Sequence, residues 1–437
     1  MKYSSRLNVT RGLVVCAIGS VLPDAIAAQT IAITGGKVYP VSSAPIDNGT
    51  VLIRDGKIVA VGAGIAIPAN AKRIDATGKW VTPGLINSAT QLGLVEVGQI
   101  ANTRDDAARG EDNIAAAFTV WEGVNTQSVL IAPARREGVT NIVVLPSGNH
   151  LVSGQAALLT LVDGMASDMV VRAPVAMVAQ VQAPQAAGTG ARAELLVKLR
   201  ELIEDTRAFV RNRAAYERAA TRDFAASRLD LQAMIPVVEG RLPLLVTADK
   251  ANDIDAALRI GRENNIKIII GGGAEAWMLA DRLAAARVPV LTGAMNNIPG
   301  SFTTLGQIQE NAGLLRRAGV QVIVIGNSGN GDEETFNVRN IKQEAGNAIA
   351  YGMSWNDALR AVTLTPAEVF GVADKIGSLR AGRDGNVVIW SGDPFEFTSN
   401  AERVLVRGRE YPALNRQELL TERYKQLPPN PAMPIRR

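Results

Sequence analysis

"LPLLVTADKANDIDAALRIGRENNIKIIIGGG", residues 242–273, decides the architecture. It reads as a largely apolar strand (242–248), a stretch with helical spacing (252–264), and a second largely apolar strand (267–273) that opens on Lys267. Strands without polar alternation are buried on both faces, which calls for a parallel sheet covered by helices. The same alternation extends in both directions. A helix over 274–287, a strand over 288–294, a helix near 304–318 and a strand over 320–327 follow it; strands over 141–147 and 171–181 precede it. Seven or eight such units between residues 80 and 375 predict an α/β fold, a TIM-like (β/α)8 barrel with its site at the C-terminal ends of the strands. The alternative is an open doubly wound sheet; no Gly-x-Gly-x-x-Gly follows a first strand, so the barrel is preferred.

The chain ends read differently. Residues 31–81 are short strands joined by turns, with Asp55-Gly56 as a hairpin turn. "DGNVVIWSGDPF" (384–395) and "AERVLVRGREY" (401–411) match them at the far end. Together these segments, 29–82 and 376–412, predict a small β-sandwich beside a barrel spanning 83–375. Residues 186–230 form a charged insertion with the spacing of one or two surface helices. Thr365-Pro366-Ala367-Glu368 reads as a capping box opening a helix, and residues 413–437 as a Pro-rich tail.

The first 28 residues carry Lys2, Arg6 and Arg11, then a ten-residue apolar run, Leu13 to Leu22, and then Ala25-Ile26-Ala27. This is the pattern of a secretory signal peptide and predicts a periplasmic protein. The run is too short to span a bilayer. Cys16, the only cysteine, lies inside it, behind Val14 and Val15, which do not suit a lipoprotein anchor. The mature chain then has neither disulfide nor thiolate metal ligand. The net charge of +4 falls to +2 without the leader, and the basic residues are not interleaved with aromatics, so no nucleic-acid surface is expected. No later stretch predicts a membrane span.

Several longer segments carry a family resemblance. "GGKVYPV" and "GTVLIRDGKIVAVG" leading into "TGKWVTPGLIN", then "ARREGVTNIVVLPS" with "SGQAALLTL", and finally "TPAEVFGVADKIGSLRAGRDGNVVIWSGDPF" resemble the amidohydrolase superfamily. The likeness is greatest to its imidazolonepropionase-like and cyclic-imide or dipeptide hydrolase members and covers about residues 31–412. It implies a barrel with one or two divalent ions at the strand ends, held by imidazole and carboxylate, that turn water into a nucleophile.

At each of those ligand positions this sequence holds another residue. After Thr82-Pro83-Gly84-Leu85-Ile86 the family runs into Asp-x-His-x-His; here stand Asn87-Ser88-Ala89-Thr90-Gln91, with Ala89 and Gln91 in the His places. "LLVTADKANDI" places Thr247 and Asp249 where a Val-His-Ala-His stretch has its imidazoles. "IIIGGGAEAW" has Gly272 in the place of a His, and "VIVIGNSGN" has Asn327 in the place of the catalytic Asp. His150 is the only histidine of the chain, so no shift of alignment restores a His-rich site. The expectation is therefore no metal, no cofactor and no catalytic residue of the family mechanism. A carboxylate-only Ca²⁺ or Mg²⁺ site around Asp332, Glu333, Glu334 and Asp249 is conceivable, but a solvated acidic loop is the simpler reading.

The remaining candidates are ligand-binding. Gln91, Asn125, Asn149, Gln155 and Asn327 are amides that would gather at the strand ends and suit a neutral or zwitterionic ligand. His150, with Thr247 and Asp249, lies just past barrel strands. His150 reads either as a general base or as a loop histidine bonded locally. Gly271-Gly272-Gly273 suits a phosphate cradle or a plain turn, and Trp121 and Trp277 read as packing residues. Two functions follow. One is a catalytically silent protein that binds a small amide or peptide-like ligand, or pairs as a heterodimer with an intact amidohydrolase paralogue. The other is a hydrolase of non-peptide carbon–nitrogen bonds by a metal-independent route.

Overall fold

A computed structural model of the chain describes residues 30–109, 113–147, 150–182, 191–295, 299–326, 337–412 and 416–425. The leader segment, most of the tail, Asn149, Asn327 and Asp332-Glu333-Glu334 lie outside the described residues.

The N-terminal strands are β1 (Thr30–Val38), β2 (Ile46–Arg54), β3 (Lys57–Gly62), β4 (Lys72–Asp75) and β5 (Trp80–Pro83). The β2–β3 hairpin turns at Asp55 and Gly56, whose φ angles of 51° and 76° are the paired positive values of a type I′ turn. The barrel strands follow: β6 (Leu85–Thr90), β7 (Val139–Val144), β8 (Val152–Thr160), β9 (Val170–Gln180), β10 (Leu244–Ala248), β11 (Ile268–Gly272), β12 (Val290–Thr292) and β13 (Val322–Val324). The chain returns through β14 (Val387–Trp390), β15 (Ala401–Val406) and β16 (Arg409–Tyr411).

Both chain ends build one eight-stranded sheet, ordered β16-β15-β14-β5-β1-β2-β3 with β4 branching from β1. The halves meet at β5, which pairs in parallel with β1 and antiparallel with β14. Ile33, Val51, Ile53, Val81, Val387 and Leu405 share its buried core.

The second sheet, also eight-stranded, runs β6 to β13 in chain order and is the TIM-like barrel. Side chains alternate in and out along each strand. Val143, Leu158, Val178, Leu245, Ile269 and Ile323 fill the interior, with Phe370 beside the strand starts. Ile142, Met177, Val246, Ile270, Val290 and Val322 face outward into the helical layer. Helix Ala251–Asn264 shows how that layer is made: Ile254, Ala257 and Ile260 form its buried stripe, and Asn265 ends it in the left-handed conformation (φ 52°).

Two features depart from the sequence expectations. Strand β8 runs antiparallel to both neighbours, so the barrel is not a uniform run of β/α units. Its connections, residues 145–151 and 161–169, are too short for a crossover to a parallel neighbour. The capping box at 365–368 is not formed. The helix begins at Leu364, and Glu368 instead takes the Arg360 guanidinium at 2.7 and 2.8 Å.

Candidate functional site: the C-terminal mouth of the barrel

At the ends of β10 and β11 the chain forms a compact hydrogen-bonded knot. The Asp249 N–H donates to Gln182 Oε1 (2.8 Å), and the Ala274 N–H donates to Asp249 Oδ1 (3.2 Å). Gly272 lies directly against that carboxylate. Its φ is +86°, and a Cβ built on it would stand 2.5 Å from Asp249 Oδ1. Burial raises the Asp249 pKa above the ordinary carboxylate value; contacts with Ala274 and Gln182 oppose this, and the nearby Asp253 and Glu275 add to it. Those two acids have structural partners of their own. Glu275 Oε2 accepts the Ala251 N–H at 2.8 Å, satisfying the start of helix Ala251–Asn264, and Asp253 pairs with Arg192 at 3.3 Å. Thr247 shares the inward parity of Leu245, and Gly271 beside it leaves that layer to Leu245 and Thr247.

Across the mouth, Asn87 joins the first and last barrel strands. Its Oδ1 accepts from the Gly326 N–H (3.4 Å) and the Ala89 N–H (3.3 Å), and its Nδ2 donates to the Val338 carbonyl (3.1 Å). Two of these contacts, to Gly326 and Val338, tie the seam from one fully buried amide, and the third is local to β6. An ionised carboxylate accepts but does not donate, and would face the Val338 oxygen. Asn87→Asp is therefore expected to lower stability by about 2 kcal/mol at neutral pH. Urea unfolding at pH 7 checks this; a loss near zero would show that the seam does not depend on the donor. Ala89 follows in β6, and the Gln91 carbonyl accepts from Leu94 (2.8 Å) and Val95 (3.2 Å), so the strand ends in a turn at Gln91.

The other sequence-derived candidates are dispersed. Asn125 is exposed and serves its own loop, with Nδ2 donating to Glu96 (3.0 Å) and Oδ1 accepting from Gln127 (3.0 Å). Gln155 shares the outward parity of Ala157 on β8 and donates to the Ala116 carbonyl (3.0 Å), away from the barrel interior. His150 is buried, with no partner on Nδ1, and burial pushes its pKa below the ordinary histidine value. The Ser153 hydroxyl donates to the His150 carbonyl, not to the ring, and the Ser147 hydroxyl has no partner. No serine–histidine pair is formed there among the described residues. The structure thus brings Thr247 and Asp249 together at the mouth, leaves Asn125 and Gln155 out of it, and places His150 in the loop after β7.

Sequence reading missed Glu344. It is buried on helix Ile341–Ala350, and its Oε2 accepts the N–H groups of Ala294 and Met295 (2.5 and 2.8 Å) just past β12. A glutamate between Ile341, Ala345 and Ala348 on the apolar stripe was the available signal. Burial raises its pKa, opposed by those two N–H groups. The folded chain therefore holds this proton after the unfolded chain has released it. The stabilisation is complete below the ordinary value of 4.5 and is lost as pH rises through the raised one. Unfolding free energy from pH 4.5 to 7 should fall more steeply for the native chain than for Glu344→Gln; parallel curves would contradict this.

The residues present do not fit a catalytic zinc site. Such a site needs three protein donors of the His or carboxylate type around an open position. Ala89 and Gly272 have no side-chain donor, Gln91 and Thr247 are neutral, and Asp249 is one carboxylate already receiving an N–H. Among the described residues, no group of three or more His, Cys, Asp or Glu is placed to hold an ion.

Comparison with known proteins agrees with the fold. The amidohydrolase family model matches residues 273–411. The amidohydrolase tasK of Hapsidospora irregularis is 22% identical over 82% of this chain, which spans 39% of that protein's length. The imidazolonepropionase of Mesorhizobium japonicum is 23% identical over 79% of this chain and 87% of its own. The crystal structure of an amidohydrolase from Thermotoga maritima superposes with a TM-score of 0.79 at 25% identity, covering 87% of this chain and 99% of that one. These matches give the chain the fold of the amidohydrolase superfamily.

Proposed function

We propose that this chain is a superfamily member that has exchanged the metal site for a hydrogen-bonded mouth, and that it binds a small amide or peptide-like ligand or serves as the partner of an intact amidohydrolase. The observation that carries this reading is the contact between Gly272 and Asp249. At a position where the resemblance places an imidazole, the backbone is left-handed and a single Cβ would collide with a buried carboxylate. The substitution is thus built into its surroundings, because a ligand side chain at 272 requires Asp249 to move as well. The leader pattern supports export to the periplasm.

A tagged chain expressed with its genomic neighbours tests the partner role. Co-purification of a second, metal-containing superfamily chain is expected; a homogeneous monomer or homodimer that binds no small amide contradicts the reading. The second reading, carbon–nitrogen bond hydrolysis without metal, is favoured by one observation, the raised pKa of Asp249 at the mouth, which suits a general base. Turnover that survives chelator and disappears in Asp249→Asn would select it; no turnover on a panel of amides would dismiss it.

A further inference from the structure

A large cavity lies at the other end of the barrel. It opens among the N-terminal starts of β9 to β13, beside Pro243, Lys267, Pro289 and Gln321, with a volume of about 1040 Å³. Ligand sites for small molecules span roughly 300–1,000 Å³, so it has room for a molecule of nucleotide size.

Its lining is cationic. Among the described residues, six basic residues line it against two acidic ones, Glu239 and Glu368. Both carboxylates are already engaged, Glu239 by Arg241 (2.7 Å) and Glu368 by Arg360, which is outside the cavity. Arg282 pairs with Asp255, and Arg172 donates to the carbonyls of Phe370 and Gly371 (3.3 and 3.1 Å). Arg262, Lys267 and Arg287 have no carboxylate partner among the described residues.

The C-termini of helices Ala251–Asn264 and Ala280–Ala286 reach this face. Each carries a partial negative charge of about half a unit, which leaves most of the cationic surplus uncompensated. Arg287 adds an independent sign. It ends its helix at φ +53°, a left-handed setting that glycine adopts freely and a long side chain rarely does. A residue held in that setting in the wall of a cavity is a reason to look for function there.

We propose that this cavity binds a small molecule carrying two or more phosphate groups, with Arg262, Lys267 and Arg287 as its principal contacts. Guanidinium groups grip phosphate oxygens through paired N–H donors, and an ammonium adds a point charge. The site is separate from the mouth, so it stands or falls independently of the proposed function.

Calorimetric titration of the whole protein with inorganic pyrophosphate, ADP and adenosine at low salt tests it. Pyrophosphate and ADP are expected to bind saturably at one site, more weakly as salt is added, while adenosine does not bind. Arg262→Ala, Lys267→Ala and Arg287→Ala should each weaken pyrophosphate binding roughly tenfold. Lys198→Ala, on a helix outside the cavity, should not. Arg287→Gly separates binding from folding: its melting temperature should equal or exceed that of the native chain while binding falls. Absence of saturable pyrophosphate binding, equal binding of adenosine and ADP, or indifference of binding to the triple substitution would each overturn the proposal.

Discussion

Gly272→His, the replacement that would return an imidazole to the strand-end position, is expected to lower stability by about 3 kcal/mol and to recruit no zinc. Two effects combine. A side chain at φ +86° holds a strained backbone, and its Cβ would meet Asp249 Oδ1 at 2.5 Å. Moving Asp249 aside breaks its bond from the Ala274 N–H and disturbs the contact of its backbone with Gln182. Adding His at 89 and 91 does not relieve either effect, because the obstruction is on β10 and β11. Denaturant unfolding of the single and triple variants measures the loss. A triple variant that is as stable as the native chain and takes up zinc would show that the mouth is only an interrupted metal site.

Trp390→Ala is the second large effect, expected to cost about 4 kcal/mol. Trp390 is the largest fully buried side chain of the described residues. It lies on β14, paired with β5, and its indole N–H donates to Thr82 Oγ1 at 2.8 Å. Its ring fills the space left by Gly138, at φ +87°, where a Cβ would come within 2.5 Å of Cη2. Trp390 thus links the end-strand sheet to the turn before β7 of the barrel. Removal leaves a cavity at that junction and takes from Thr82 Oγ1 the donor it accepts, leaving only its own bond to the Pro83 carbonyl (2.9 Å). Circular dichroism in urea should show the whole transition moving to lower denaturant, and a loss below about 1 kcal/mol would mean that the junction closes without the indole.

The sequence made legible those parts of the fold in which local chemistry and final structure share a cause. The Asp55-Gly56 turn needs paired positive φ values, and those two residues tolerate them. The strands over 242–248 and 267–273 are apolar apart from Thr247 and Lys267 because both faces are covered. The direction of β8 was hidden by the same fact. It is buried on both faces almost without interruption, as a parallel strand would be, so hydropathy is silent on its sense and only its short connections reveal it. Gln155 left the set of mouth residues because it shares the outward parity of Ala157 and donates to the Ala116 carbonyl. Asn125 was expected among the amides gathered at the strand ends, whereas the loop folds its side chain onto Glu96. The replaced ligand positions were visible from the start. The contact that fixes Gly272 against Asp249 was not, because it depends on the register between β10 and β11.

The most direct test is the metal content of the purified chain, grown with zinc in the medium and dialysed without chelator, by elemental analysis. A mouth built from Ala89, Gln91, Thr247 and Gly272 predicts zinc far below one ion per chain. One tightly held zinc per chain, removed only by chelator, would contradict it.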